Sequence, residues 1–166
     1  MNIVLHEPEI PSNTGNIGRT CVATATALHL IKPLGFSLDD KLLKRAGLDY
    51  WKYLELHVYE SFEDFMDKNP GAHVYMATTK AHQLYTEVSY EPDDFIMFGK
   101  ETAGIPEEIL IEHEKDCIRI PMNESIRSLN LANSAAVVLY EALRQQDFQG
   151  LQQHGALHRL SWKDEA

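Results

Sequence analysis

Short apolar runs at 2–6, 28–32, 55–59, 73–78, 94–98 and 117–120 alternate with helix-compatible stretches at about 14–27, 39–46, 61–69, 106–112 and 130–146. Runs this short, rich in Val, Ile, Leu and Phe, read as strands buried on both faces. Strands separated by helices pair in parallel, because each connection must cross back over the sheet. The alternation therefore predicts an α/β fold, a largely parallel sheet with helices on both faces. Local punctuation agrees. Ser61 with Asp64 three residues on reads as an N-terminal capping pair, and Asn69-Pro70-Gly71 stops the helix between them. At 166 residues the chain suits one domain, placed at 1–150. Residues 151–166, with Gln152, Gln153, His154 and Lys163-Asp164-Glu165, read as a tail without periodicity.

Composition excludes several classes. Hydrophobic residues make up 44% of the chain, so it can bury a core. No run of 18 apolar residues suggests a membrane span. The chain opens on the strand-like Asn2-Ile3-Val4-Leu5, without the basic start and apolar centre of a signal peptide. Cys21 and Cys117 fall in a predicted helix and strand and read as reduced, buried thiols. A cytoplasmic location is expected. No Cys or His spacing matches a zinc site, so no metal is expected. The net charge of −10 argues against a nucleic-acid partner until its distribution is considered. Residues 1–60 hold six basic and seven acidic residues, 61–116 four and thirteen, and 117–166 five and five. The excess lies in the middle third, which leaves the ends free to carry basic faces.

An alternating chain also suggests a dinucleotide-binding domain, but that fingerprint needs G-x-G-x-x-G directly after the first strand. Here Gly15 comes well after the first strand, beyond Pro8 and Pro11, and Gly15 with Gly18 does not complete the pattern. The polar crowd lies elsewhere. After the strand at 117–120 come Ser125, Arg127, Ser128, Asn130, Asn133 and Ser134, leading into a helix of small residues. A structural junction needs one cap residue. Six polar residues at the carboxyl end of a strand mark a ligand site.

This segment resembles the third motif of the SPOUT methyltransferases. Asn13-Thr14-Gly15-Asn16-Ile17-Gly18-Arg19 resembles their first motif, and Phe98-Gly99-Lys100-Glu101-Thr102-Ala103-Gly104-Ile105-Pro106 their second. The phrases Ile3-Val4-Leu5-His6-Glu7-Pro8-Glu9-Ile10-Pro11 and Arg45-Ala46-Gly47-Leu48-Asp49-Tyr50 are similar to the branch that methylates the wobble ribose, cytidine or uridine, of certain leucine tRNAs. The resemblance covers residues 1 to about 150. It implies a deep C-terminal trefoil knot, which periodicity alone never indicates. It also implies S-adenosylmethionine as cofactor, a tRNA anticodon stem-loop as substrate and a homodimer as the working unit. By the same resemblance Ala77, Gly99, Glu101, Ile120 and Ser128 hold the cofactor. Ala77 and Ile120 would wall the adenine, Ser128 would offer a hydroxyl, and Glu101 would lie near the sulfonium or pair with a neighbouring motif.

Methyl transfer to a ribose hydroxyl needs in-line positioning and loss of a weakly acidic proton. Arg19 matches the arginine that the family treats as catalytic. A guanidinium stays charged, so a role in holding phosphate and stabilising a developing alkoxide fits better than base catalysis. Asn133 and Tyr140 are the other catalytic candidates. Asn133 could bond a ligand or cap the loop; Tyr140 could serve core, dimer contact or substrate. Substrate candidates are Asn13 and Asn16 beside Arg19, Arg127 in the polar junction, and Lys41, Lys44 and Arg45, which share one face of a short predicted helix. The slender helix from Asn130 offers Ala135, Ala136, Leu139 and Tyr140 as a dimer face. The rival readings are methylation of ribosomal RNA, a cofactor-binding module without catalysis, and a plain flavodoxin-like nucleotide binder.

Overall fold

The computed structural model describes residues 1–38 and 50–162. Seven strands form one parallel sheet: β1 Asn2–His6, β2 Ala27–Ile31, β3 Leu56–Tyr59, β4 Val74–Ala77, β5 Gln83–Leu84, β6 Phe95–Phe98 and β7 Cys117–Arg119. Their order across the sheet is β3-β2-β1-β6-β4-β7-β5. The last strand in the chain, β7, lies between β4 and β5, pairing Ala77 with Ile118 on one side and Gln83 with Ile118 on the other. Among the described residues four α-helices cover the sheet: α1 Pro11–Ala23, α2 Phe62–Lys68, α3 Glu107–Glu112 and α4 Leu131–Gln145.

Alternation along the strands sorts the core into two layers. Ile3, Leu5, Leu28, Leu30, Ile96, Phe98 and Ile118 meet Ile17 and Cys21 of α1 and Ala135, Val138, Leu139, Ala142 and Leu143 of α4. Val4, Val74, Met76, Phe95, Met97 and Cys117 face the other way, toward Phe65 of α2 and Leu110 of α3. Helices thus lie on both faces, as the sequence predicts. Each large side chain fully buried this way contributes about 1.5–3 kcal/mol. Both cysteines are buried free thiols, and burial pushes the Cys21 thiol up to about 12. Among the described residues no helix is long and apolar enough to cross a membrane.

Several elements depart from their predicted bounds. α1 starts three residues before 14 and stops four before 27. Pro11 presets its first turn, and the chain leaves the helix through Thr24 and Ala25, the latter at φ 52°. The Thr24 hydroxyl turns back to the Thr20 carbonyl, 2.8 Å away. At α2 the Ser61 hydroxyl accepts from the Asp64 N–H at 3.2 Å, but the Asp64 carboxylate accepts from Glu60 N–H at 3.0 Å. The capping box is therefore displaced by one residue. The strand β5 goes unpredicted, because two residues cannot establish a period. The helix predicted at 39–46 lies outside the described residues. Phe148 and Leu151 still pack on the first core layer, whereas 152–162 are exposed and form no helix or strand.

Candidate active site

The carboxyl ends of β4, β6 and β7 open into a cavity of about 500 Å³. This is the end of an open parallel sheet at which ligands bind, and the volume suits a nucleoside-sized molecule. Three loops build it: 77–80 after β4, 98–104 after β6, and 118–131 between β7 and α4. Its apolar wall comes from Ala77, Phe98, Ile118, Ile120 and Val138, and its polar rim from Lys80, Arg119, Arg127, Ser128 and Ser134. β7 ends at Arg119, so the backbone of Ile120 lies beyond the ladder, on the cavity wall. Arg119 is fixed by donation to the Thr79 carbonyl at 2.9 Å, and Lys80 pairs with Glu107 at 2.9 Å.

The loop after β6 is clamped to the loop after β1. The Lys100 ammonium pairs with Glu7, which raises the Lys100 pKa, chiefly through that hydrogen bond. The Glu9 carboxylate accepts from Thr102 N–H and hydroxyl at 2.8–3.0 Å. The Glu101 carboxylate, on the cavity wall, is held by the segment that leads into α1. It accepts from Glu9 N–H at 2.8 Å, Ile10 N–H at 3.2 Å and the Asn13 amide at 3.0 Å. A negative group there complements the N-terminus of α1, which has no side-chain cap of its own. Asn13 in turn accepts from the Asn130 amide at 3.0 Å. The other end of Asn130 caps α4, accepting from Ala132 N–H at 2.9 Å and Asn133 N–H at 3.2 Å. A single chain of side chains thus joins all three sequence motifs. Gly99 is required by the fold itself: a Cβ there would lie 2.1 Å from the Gly104 carbonyl carbon and the Ile105 nitrogen.

The family model of SpoU rRNA methylases matches residues 1–140. The chain belongs to that family. A protein of Listeria innocua is 54% identical over 166 residues, covering 98% of each chain. A Methylovorus glucosotrophus relative named tRNA (cytidine(34)-2'-O)-methyltransferase is 51% identical, covering 90% of this chain and 97% of its own. A solved structure described as giving insight into the 2-OH methylation of C/U34 on tRNA superposes with a TM-score of 0.85 at 43% identity, covering 88% of this chain and 95% of the other.

Within this SpoU methylase the five residues assigned to the cofactor, Ala77, Gly99, Glu101, Ile120 and Ser128, all line the one cavity, and Arg127 joins them. Of the two roles open to Glu101, the structure shows the pairing with the first motif. Asn13 needs correcting as a substrate contact: it is 6% exposed and both ends of its amide are bonded within the chain. Asn16 and Arg19 are exposed on the outer side of α1, away from the cavity. The Arg19 guanidinium sits 5.1 Å from the centre of the Tyr50 ring. Asn133 and Tyr140 are exposed on α4 and likewise do not line the cavity. Lys41, Lys44 and Arg45 lie outside the described residues.

The predicted dimer face also needs correcting. Ala135 and Leu139 are 2% and 0% exposed and belong to the protomer's own core. The apolar residues α4 presents outward are Val137 and Tyr140, at 39% and 47%. Sequence reasoning also counted Asn130 in the polar junction without assigning it the role of helix cap. Its signal was available, an asparagine directly before a helical run. The Lys100–Glu7 pair had none, because its partners are 93 residues apart.

Proposed function

We propose that this chain transfers a methyl group from S-adenosylmethionine to the ribose 2′-hydroxyl of the wobble nucleotide, cytidine or a modified uridine, of leucine tRNAs in the cytoplasm. The observation that carries the reading is the convergence of the second and third motif loops on one nucleoside-sized cavity, in a chain similar over 90% of its length to a relative named tRNA (cytidine(34)-2'-O)-methyltransferase. The cavity fits the cofactor. Its apolar wall suits an adenine, and its rim of hydroxyls and cations suits a ribose and a carboxylate. When bound, S-adenosylmethionine supplies a methyl group already activated on a sulfonium, so the protein adds no electrophile. Ala77 and Ile120 would wall the adenine, and Ser128 and Arg127 would meet the polar portion. The Asn13–Glu101–Asn130 chain would hold the loops in register.

Arg19 would bind a phosphate beside the target ribose and stabilise its alkoxide. One protomer keeps Arg19 off its own cavity, so the reading includes a homodimer in which each copy lends Arg19 to the other. Val137, Tyr140 and Asn133 on α4 would lie at that interface, and an obligate pair would bury about 1,000 Å² or more. The reading includes a C-terminal trefoil knot, and the position of β7 between the earlier strands β4 and β5 supports it. Mass spectrometry of anticodon-loop fragments, after incubating unmodified leucine tRNA with the protein and S-adenosylmethionine, tests the reading. One added methyl on the position-34 ribose is expected. An unmodified fragment at full cofactor occupancy would overturn it.

A further inference from the structure

α1 carries Gly15 and Gly18 about one turn apart, and this bare stripe lets residues 50–54 lie directly on the helix. Tyr50 donates its hydroxyl to the Gly15 carbonyl. A Cβ at Gly18 would come within 3.2 Å of the Trp51 ring and 3.3 Å of Leu54. The short 3₁₀ turn Trp51–Tyr53 is thereby fixed to the helix that carries Arg19. Beyond this anchor the turn sends out Lys52 and Tyr53. The Lys52 ammonium stands 4.8 Å from the centre of the Tyr53 ring, and Tyr53 remains 69% exposed. The acid that follows, Glu55, meets His57 at 3.1 Å.

An exposed aromatic with a cation beside it is an arrangement that receives unpaired bases: every base has a π face to stack, and the cation answers a phosphate. The need for it is physical. A wobble nucleotide whose 2′-hydroxyl enters a cavity leaves the stack of its loop, and a neighbouring base loses a stacking partner. We propose that Tyr53, with Lys52 on the turn anchored to the helix that carries Arg19, is the platform on which an unpaired anticodon-loop base of the substrate RNA stacks. This rests on the function proposed above and adds the surface that holds its substrate.

The test uses the full chain and an anticodon stem-loop RNA with 2-aminopurine in the loop, followed by anisotropy and by quenching. Tyr53→Ala should weaken RNA binding about 10-fold and abolish the quenching. Tyr53→Phe, which keeps the ring, should stay within about twofold of the parent. Both should bind S-adenosylhomocysteine unchanged. Lys52→Ala should lower the slope of log affinity against log salt by about one, whereas Tyr53→Ala should leave that slope intact. Parent-like RNA binding by Tyr53→Ala overturns the proposal, as does a Tyr53→Phe as weak as Tyr53→Ala. A change in oligomeric state on Tyr53→Ala also overturns it and makes the patch a contact between copies. A parent protein that binds the loop without methylating it removes the proposed function while the Tyr53 series still decides the platform. A parent that fails to bind removes both.

Discussion

The cavity and the outer face of α1 and α4 are built in opposite ways. The cavity is finished within one protomer. Its loops are clamped by Lys100–Glu7, Thr102–Glu9 and the Asn13–Glu101–Asn130 chain, and all five cofactor candidates meet there. The outer face carries Arg19, Asn133 and Tyr140, each exposed and none lining the cavity. Positions assigned to one reaction are thus divided between a cavity and an open surface. On the function proposed above, cofactor binding would be a property of the single chain, whereas the chemistry would need a second copy.

The sharpest way to break the comparison is to charge the two sides of α4 in turn. Leu139→Asp places a carboxylate at a fully buried position and should cost about 4 kcal/mol or more, enough to unfold the chain. Tyr140→Asp, one residue on and 47% exposed, should leave protomer stability within about 1 kcal/mol and lose dimerisation with methylation. Thermal melts and light scattering separate the two. Equal losses of stability would erase the distinction between core and outer face.

A second perturbation changes stability while touching neither region. His29 is buried between Asn2 and Tyr59, its ring nitrogens 3.3 and 2.9 Å from them. Burial, and secondarily His57, lowers its pKa from the ordinary 6.5 to about 4. The unfolded chain therefore takes up a proton first as pH falls. The His29 contribution should be whole above about pH 6.5, decline toward pH 4 and level off below, by at most about 3 kcal/mol. Denaturant melts of the parent and of His29→Gln across that window check it. A parallel decline in the two proteins would exclude His29 as the source.

A smaller effect probes the cavity side. Asn130→Ala removes the cap of α4 and the bond to Asn13, and should cost about 1–2 kcal/mol. It should also weaken S-adenosylhomocysteine binding in calorimetry, because the cap sets the 127–131 wall. Full affinity in a destabilised variant would restrict Asn130 to a structural role.

How much of this the sequence discloses depends on the range of the interaction. Strands such as Phe95–Phe98, buried at every position, declare themselves as unbroken apolar runs. The cofactor candidates Gly99, Glu101, Ile120 and Ser128 are legible because they sit inside contiguous motifs; Ala77 lies outside them. The outward face of α4 is read one position off. Ala132, Ala135, Ala136 and Ala142 give little contrast between inside and outside, so the predicted dimer face of Ala135, Ala136, Leu139 and Tyr140 mixes the buried Ala135 and Leu139 with the exposed Tyr140. The Glu101 contact to Asn13 and the Asn130 contact to Asn13 span 88 and 117 residues. No local pattern encodes such pairs; they exist only once the sheet has brought the loops together.

The central claim, that each cavity is completed by the other copy's Arg19, is tested most directly by mixing two inactive proteins. Arg19→Ala keeps a sound cavity and should bind S-adenosylhomocysteine like the parent. Ala77→Phe fills the cavity and keeps Arg19. Refolded together, half the pairs would be mixed, each with one complete site, and about a quarter of parental methylation should return. A mixture as inactive as its components, with mixed pairs shown to form, would contradict the account.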